Sequence, residues 1–263
     1  MGKGSLTGRK VLPPPKPKKP MPKPTPKKPQ TPLEKTRRLV EEASDILADS
    51  GYSKKEIKYW QKLMQRALRS GVVIMDKGSY YNSSTGEIAF KEGSSKRTIY
   101  HEFGHMLDYT KGQRKISEVT DNYFAGSRAF KEDLAHLAKE IGFTLNKSGT
   151  GITGTARDNS LIFARWWKGK KLHQKNVFSA GAFSDIVSAM TKESAGATYV
   201  GGGHSRDYWN IPKERGGQRQ SLEVFAQYVA LRHTGGGDFM TEFKNLTPNL
   251  YRILQKRYKR EWK

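Results

Sequence analysis

The chain has 263 residues, no cysteine and a net charge of +23. This length suits one folded domain with a tail, and the lack of cysteine excludes disulfides, thiolate metal ligands and cysteine nucleophiles. The charge favours a polyanionic partner such as nucleic acid or an acidic protein surface. The sequence has no apolar run of the roughly 20 residues that cross a bilayer, and it has no secretory signal, so we expect no membrane association.

Residues 1–32 are predicted to form a disordered, basic, Pro-rich tail. Residues 11–32 hold ten of the twelve prolines, and residues 1–33 carry nine Lys or Arg and no acid. Proline removes backbone donors and like charges repel, so the tail should be extended. It serves either as a solvated linker or as an arm that binds nucleic acid or another polyanion. Removing its nine charges from +23 leaves +14 on residues 34–263.

Residues 33–263 are predicted to form one α+β domain that is mainly helical and contains a small sheet. Its first part, residues 33–70, has apolar residues at helical spacing and a capping box at Ser53 and Glu56. These features predict a helical hairpin.

Residues 71–109 are predicted to supply the sheet and one central helix. "GVVIMDK" indicates a strand, and "SYYNSSTGEIAF" a strand pair that turns at residues 82–86. The helical pattern then returns over residues 97–108. Residues 110–220 are expected to hold an insertion with Gly-rich loops, and residues 221–263 two helices. Helices beyond the first 110 residues are predicted around 128–141, 184–192, 221–232 and 248–262.

The sequence "TIYHEFGHMLDY" contains an H-E-x-x-H motif. On a helix, His101 and His105 lie on one face, where both imidazoles can reach one ion. Glu102 is placed to accept a proton from water activated by that ion. Asp108 is nearly back on the same face and is predicted to accept a hydrogen bond from a ligand imidazole. The alternative is a helix with two partly exposed histidines.

A catalytic Zn²⁺ ion needs a third protein ligand. Glu223 in "SLEVFAQYVALRH" is our candidate, because an acid among apolar neighbours indicates a compensating positive charge; a solvent-facing acid near a helix start is the alternative. By residue type the third ligand could also be one of His136, His173, His204, His233 and Asp108.

The segment "GGGHSRDYW" is a second candidate region, shortly before Glu223. It combines flexible glycines with His204 and Tyr208. Either side chain could donate a hydrogen bond to the oxyanion that forms when water attacks a carbonyl group.

The Trp166–Trp167 pair suggests base stacking, but we expect core packing, since adjacent residues point to opposite sides of an element.

The pair "HEFGHMLDY" and "SLEVFAQYVALRH" resembles the gluzincin metallopeptidase domain of the anthrax toxin lethal factor type. The resemblance implies a zincin-like fold, zinc ligands at His101, His105 and Glu223, Glu102 as the general base, and Tyr208 as a transition-state donor. The gap between Tyr208 and Glu223 is longer than in that family. "GHSRDYW" is similar to tailed-phage minor head proteins with a peptidase-like domain.

In zincins an edge strand above the motif helix binds the extended substrate peptide, and "GEIAF" is our candidate for that strand. The motif residues predict a zinc metalloendopeptidase that acts on a protein or peptide. The resemblance to phage head proteins implies that it is phage-encoded or phage-associated, located in the virion or the host cytoplasm, with phage capsid or portal proteins as partners. Two alternatives are a virion head protein that keeps the fold as a scaffold and binds DNA or capsid through its tail, and an injected toxin peptidase.

Overall fold

The computed structural model describes rather more than half of the chain. The described residues are 31, 34, 54, 58, 62, 73–74, 78–82, 87–90, 94–109, 118–172, 177–192, 204, 206–209, 219–234 and 236–261. The chain divides into two units, Met1–Gln30 and Thr31–Lys263, and every described residue lies in the second. The predicted tail and most of the predicted helical hairpin of residues 33–70 lie outside the described residues.

The described part is helix-dominated with one small sheet, which confirms the predicted α+β class. The strands are β1 (Val73–Ile74), β2 (Tyr80–Asn82) and β3 (Glu87–Phe90). The helices are α1 (Lys96–Tyr109), α2 (Glu118–Phe124), α3 (Arg128–Ile141), α4 (Ala156–Gly169), α5 (Val177–Thr191), α6 (Arg206–Trp209), α7 (Arg219–His233), α8 (Gly237–Leu246) and α9 (Pro248–Glu261). No helix within these residues is both long and apolar enough to span a membrane.

The sheet has the strand order β1-β3-β2. Strand β3 pairs in parallel with β1 and antiparallel with β2, so that Ala89 lies between Val73 and Tyr80. Ile88 and Ala89 are buried. The predicted strand pair is confirmed. The prediction that "GEIAF" forms the edge strand is wrong, because β3 is central and β2 is an outer strand. The apolar side chains of β3 identified it as a strand in the sequence. The same side chains favour a central, buried position in the sheet.

Helix α7 lies at the centre of the fold. Every residue from Gln220 to Leu231 is buried, although the sequence carries several polar side chains. A helix that is buried on all sides needs partners on all sides, and α7 packs against α1, α5, α8 and α9. Its polar side chains must therefore find partners inside the protein.

The crossing of α1 and α7 is very close. A methyl group at Gly104 of α1 would lie 2.6 Å from the Ala226 Cα atom of α7. Glycine is the residue that lets the two backbones approach this far. The consequence is that side chains one turn from the crossing on either helix can touch the same point.

Several elements differ from the sequence-based expectations. Helix α5 begins at Val177 rather than near residue 184. Helices α2, α4 and α8 occupy stretches for which no helix was predicted. Gly-rich segments precede α4 and α8, and the glycines masked the helical periodicity that follows them. Helix α9 packs through Leu250, Leu254 and Tyr258, which are all buried.

The tryptophan pair packs in the core rather than on the surface. Trp167 is buried and Trp166 is half-buried. Their rings lie 5.8 Å and 6.1 Å from the ring of Phe183. This confirms the prediction of core packing for Trp167, and Trp166 borders the same aromatic cluster.

Candidate metal centre

His101 and His105 lie on one face of α1, one helical turn apart. Their Nε2 atoms are 3.1 Å apart, and the two rings are perpendicular. The side chains keep 14% and 16% exposure. Two imidazole nitrogens therefore meet at one point, and both side chains are largely buried.

Glu223 of α7 brings a carboxylate to the same point. Its Oε2 atom lies 3.4 Å from His101 Nε2, and its Oε1 atom lies 3.6 Å from His105 Nε2. The residue is buried. The close crossing at Gly104 makes this approach possible, since Glu223 lies one turn before Ala226. The structure thus brings together the three residues predicted as metal ligands.

The separations between neighbouring ligand atoms are close to those around a tetrahedral ion. Zinc bonds of about 2.0–2.1 Å to nitrogen or oxygen place neighbouring ligand atoms about 3.3 Å apart. The two imidazole nitrogens are 3.1 Å apart, and each lies 3.4 or 3.6 Å from a different oxygen of the Glu223 carboxylate. Within the described residues, Glu223 Oε2 makes no hydrogen bond of normal geometry although it is buried, and such an oxygen is costly unless a cation satisfies it. The donor set fits a divalent metal with a position left open.

The electrostatics of His105 and Glu223 suit metal binding. Burial lowers the pKa of His105 to about 4, so its ring is neutral at pH 7. Burial also acts to lower the pKa of His101, but contact with the Glu223 carboxylate raises it overall. Burial would raise the pKa of Glu223, yet its interactions with His105 and His101 hold it well below its ordinary value. Ionised carboxylate and neutral imidazole are the forms that bind a metal.

Glu102 lies beside the ligand pair and is itself buried. Burial raises its pKa to about 7, and the charge of His101 opposes that rise. The backbone of Tyr81 in β2 donates a hydrogen bond to this carboxylate. A carboxyl group whose pKa is near 7 can gain and lose a proton at neutral pH. The link to Tyr81 also shows that β2 borders the site.

Tyr208 and His204 both reach the site. The Tyr208 hydroxyl donates a hydrogen bond to Glu223 Oε1, and the His204 ring stacks on the Tyr208 ring with centroids 3.8 Å apart. The Arg219 guanidinium lies 4.4 Å from the Tyr208 ring centroid. Burial, together with the Glu223 charge, raises the pKa of Tyr208, so the hydroxyl keeps its proton. The long sequence gap before Glu223 does not separate Tyr208 from the ligands.

Asp108 has a different role from the predicted one. It forms a buried ion pair with Arg257 of α9, whose guanidinium also lies 4.1 Å from the Phe225 ring centroid. In the described part of the chain, His101 Nδ1 has no hydrogen-bond partner. The prediction that Asp108 orients a ligand imidazole is therefore corrected: the helical phase was right, but α9 brings a cation that captures the carboxylate.

Of the other histidines considered as a third ligand, two lie in different surroundings. His136 is on the exposed face of α3. His233 is buried, stacks on Tyr100 and shares a hydrogen bond of 3.0 Å with the Tyr258 hydroxyl. His173 lies outside the described residues. Among the described residues, His101, His105 and Glu223 are the group of side chains that could hold a metal ion.

Sequence reasoning missed a buried polar cluster behind the site. Asp185 of α5 is 1% exposed. Its Oδ2 atom accepts hydrogen bonds from Arg97 of α1 and Gln227 of α7, and its Oδ1 atom accepts from the His204 backbone. The signal was present in "AFSDIVSAM", where one acid stands in an apolar run, which is the same argument that selected Glu223.

Comparison of the chain with protein-family models, curated proteins and solved structures finds no match in any of the three.

Proposed function

We propose that the protein is a zinc-dependent hydrolase of peptide bonds. The observation that carries the proposal is the meeting of His101 Nε2, His105 Nε2 and the Glu223 carboxylate, in which the nitrogens are 3.1 Å apart and lie 3.4 and 3.6 Å from its two oxygens. Two imidazoles and one carboxylate, with a fourth position open, form the ligand set of catalytic rather than structural zinc sites. When bound there, zinc supplies a Lewis acid that polarises a carbonyl group and lowers the pKa of water.

Glu102 is the general base in this proposal. Its carboxylate adjoins the ligands, and its pKa of about 7 lets it take a proton from the attacking water and pass it to the leaving amine nitrogen. Burial keeps bulk water from competing for that proton. The same side chain thus serves as base in the first step and as acid in the second.

Tyr208 is proposed to stabilise the oxyanion. Its hydroxyl is held next to the ligand atoms by the hydrogen bond to Glu223, and its raised pKa keeps it a donor. A donor aimed at the developing charge lowers the barrier, and removal of one such donor costs about 10²–10³ in kcat. His204 supports Tyr208 through ring stacking.

The substrate is proposed to be an extended peptide bound along β2. This strand is an outer strand of the sheet and touches Glu102 through the Tyr81 backbone. Backbone pairing along such a strand selects extended chains largely independently of side chains. Phage capsid or portal proteins, in the virion or the host cytoplasm, remain our proposed partners.

The test uses purified full-length protein, zinc analysis and a library of unstructured peptides. Wild type should bind one zinc ion per chain and cleave peptides, and Glu102→Gln should bind the same zinc with at least 10³-fold lower kcat, since the base is lost and no ligand is. Zinc binding below 0.1 ion per chain, or equal turnover by Glu102→Gln, would refute the proposal.

A second candidate function is a scaffold that binds nucleic acid. The outer face of α9 favours it, because Arg252, Lys256 and Lys259 are all exposed at helical spacing. The large apolar side chains that are exposed among the described residues, Tyr80 and Val119, both lie outside α9. Cations without an apolar centre suit a phosphate backbone better than a protein surface.

A further inference from the structure

Asp185 connects the helices of the metal centre to the segment that carries Tyr208. The residue is 1% exposed, on a helix that is buried from Ser179 to Thr191. An ionised carboxylate in such a place needs several donors. It has them on both oxygens, and the two oxygens serve different neighbours.

The Oδ2 atom faces the ligand-bearing helices. Arg97 Nη2, one turn before His101 on α1, lies 3.3 Å from it. Gln227 Nε2, one turn after Glu223 on α7, also donates to it, and Arg97 Nη2 lies 3.3 Å from Gln227 Oε1. Gly181 of α5 leaves room for the arginine, since a methyl group there would overlap the guanidinium. This oxygen therefore joins α1, α5 and α7.

The Oδ1 atom faces the other way, toward His204. It accepts the His204 backbone N–H at 2.8 Å and lies 3.4 Å from the same residue's Nδ1 atom. The His204 ring then stacks on Tyr208, whose hydroxyl bonds Glu223. A chain of direct contacts thus runs from the Asp185 carboxylate through His204 and Tyr208 to a metal ligand.

We propose that Asp185 is a positioning residue that holds the His204–Tyr208 segment against the metal centre, in addition to balancing the charge of Arg97. The effect on turnover rests on the proposed function. A reacting group displaced by about 1 Å can cost 10²-fold in rate. Loss of the Oδ1 contact should therefore lower kcat while the zinc ligands stay in place.

Asp185→Asn distinguishes the contacts of the two carboxylate oxygens. An amide has one acceptor oxygen and one NH₂ donor. The oxygen will face Arg97 and Gln227, since the arginine is charged and both are donors. The NH₂ group is then left opposite the His204 N–H, and that hydrogen bond is lost. The substitution thus releases the Tyr208 segment and keeps the helix contacts.

Asp133→Asn is the matched control. Asp133 of α3 is also 1% exposed and also accepts on both oxygens, from Tyr123, Asn249 and the Leu250 backbone. It carries no contact with the metal centre in the described residues. Both variants lose one acceptor in the core, so a general loss of stability will appear in both and a positioning effect in Asp185→Asn alone.

Three measurements on the zinc-loaded full chain test the proposal. We expect Asp185→Asn to bind zinc with an affinity within threefold of wild type, to lower kcat at least tenfold with KM changed less than threefold, and to speed hydrogen exchange of the His204 amide at least tenfold. In the double variant with Tyr208→Phe, kcat should fall no further than in Tyr208→Phe alone, because both act through the phenol.

The proposal is overturned by unchanged exchange at His204, by additive losses in the double variant, or by equal effects in Asp133→Asn. Should wild type cleave no peptide, the proposed function fails, but the exchange of the His204 amide still decides whether Asp185 holds the segment. Equal His204 exchange in wild type and Asp185→Asn would then reject the positioning role by itself.

Discussion

The crossing of α1 and α7 leaves no room for a side chain at Gly104, and Gly104→Ala should therefore damage the metal centre without touching a ligand. The added methyl carbon would lie 2.6 Å from Ala226 Cα and 3.2 Å from Ala226 Cβ, whereas ordinary contacts begin at 3.4 Å. The helices must separate by about 1 Å to relieve the overlap.

That separation acts directly on the ligand geometry. The Glu223 oxygens now lie 3.4 Å and 3.6 Å from the two imidazole nitrogens. A shift of about 1 Å takes them to roughly 4.5 Å, well beyond the 3.3 Å or so that a tetrahedral ion requires. We expect zinc affinity to fall about 10- to 100-fold, as when a metal ligand is disoriented, and the free energy of unfolding to fall by about 1–3 kcal/mol from overpacking.

Chelator competition measures the zinc affinity, and denaturant unfolding of the metal-free protein measures stability. Gly169→Ala is the control, because this glycine is also helical and a methyl group there meets nothing within 4 Å. It should keep wild-type zinc affinity. If Gly104→Ala matched wild type in both affinity and stability, the close crossing would not be what sets the ligand geometry.

Three further predictions concern metal, pH and salt. Zinc at 100 times its dissociation constant should add about 2.7 kcal/mol to the free energy of unfolding, and a chelator should abolish that gain; no shift would contradict a folded-state site. Burial, reinforced by Arg232, lowers the pKa of His233 from its ordinary 6.5 to about 3, so its stabilising contribution is complete above pH 6.5 and is lost as the pH falls. Denaturation at pH 7 and pH 5 should show wild type losing about 2 kcal/mol more than His233→Gln, and equal losses would argue against a neutral buried ring. Replacing Arg252, Lys256 and Lys259 with Gln should reduce the slope of log K against log salt for duplex DNA by roughly 2.7; an unchanged slope would remove α9 from any nucleic-acid interface.

The sequence was sufficient to predict that His101, His105 and Glu223 form one cluster, because each has a local signature. Spacing places His101 and His105 on one helical face, and Glu223 stands out as an acid among apolar neighbours. The network around Asp185 was not predictable in the same way, since its partners Arg97 and Gln227 come from two other helices. Which buried acid meets which distant donor depends on tertiary packing and not on periodicity.

The assignment of Asp108 shows a second limit. Its position on the helix relative to His101 was predicted correctly from the spacing. Spacing along one helix, however, does not identify the side chain on another helix that will bind the carboxylate. Arg257 lies about 150 residues along the chain, and α9 carries it to Asp108. The strand "GEIAF" shows a third limit. Alternation and hydrophobicity identify a strand, but its position in the sheet depends on which other strands pair with it.

The burial of α7 on every side has a consequence for how this fold can change over time. Its residues contact the core all round, so packing constrains substitutions along this helix whether or not the proposed activity is kept. In a lineage that lost the proposed activity, the packing around α7 would still be retained, whereas Glu102 would no longer be kept for its proposed chemistry.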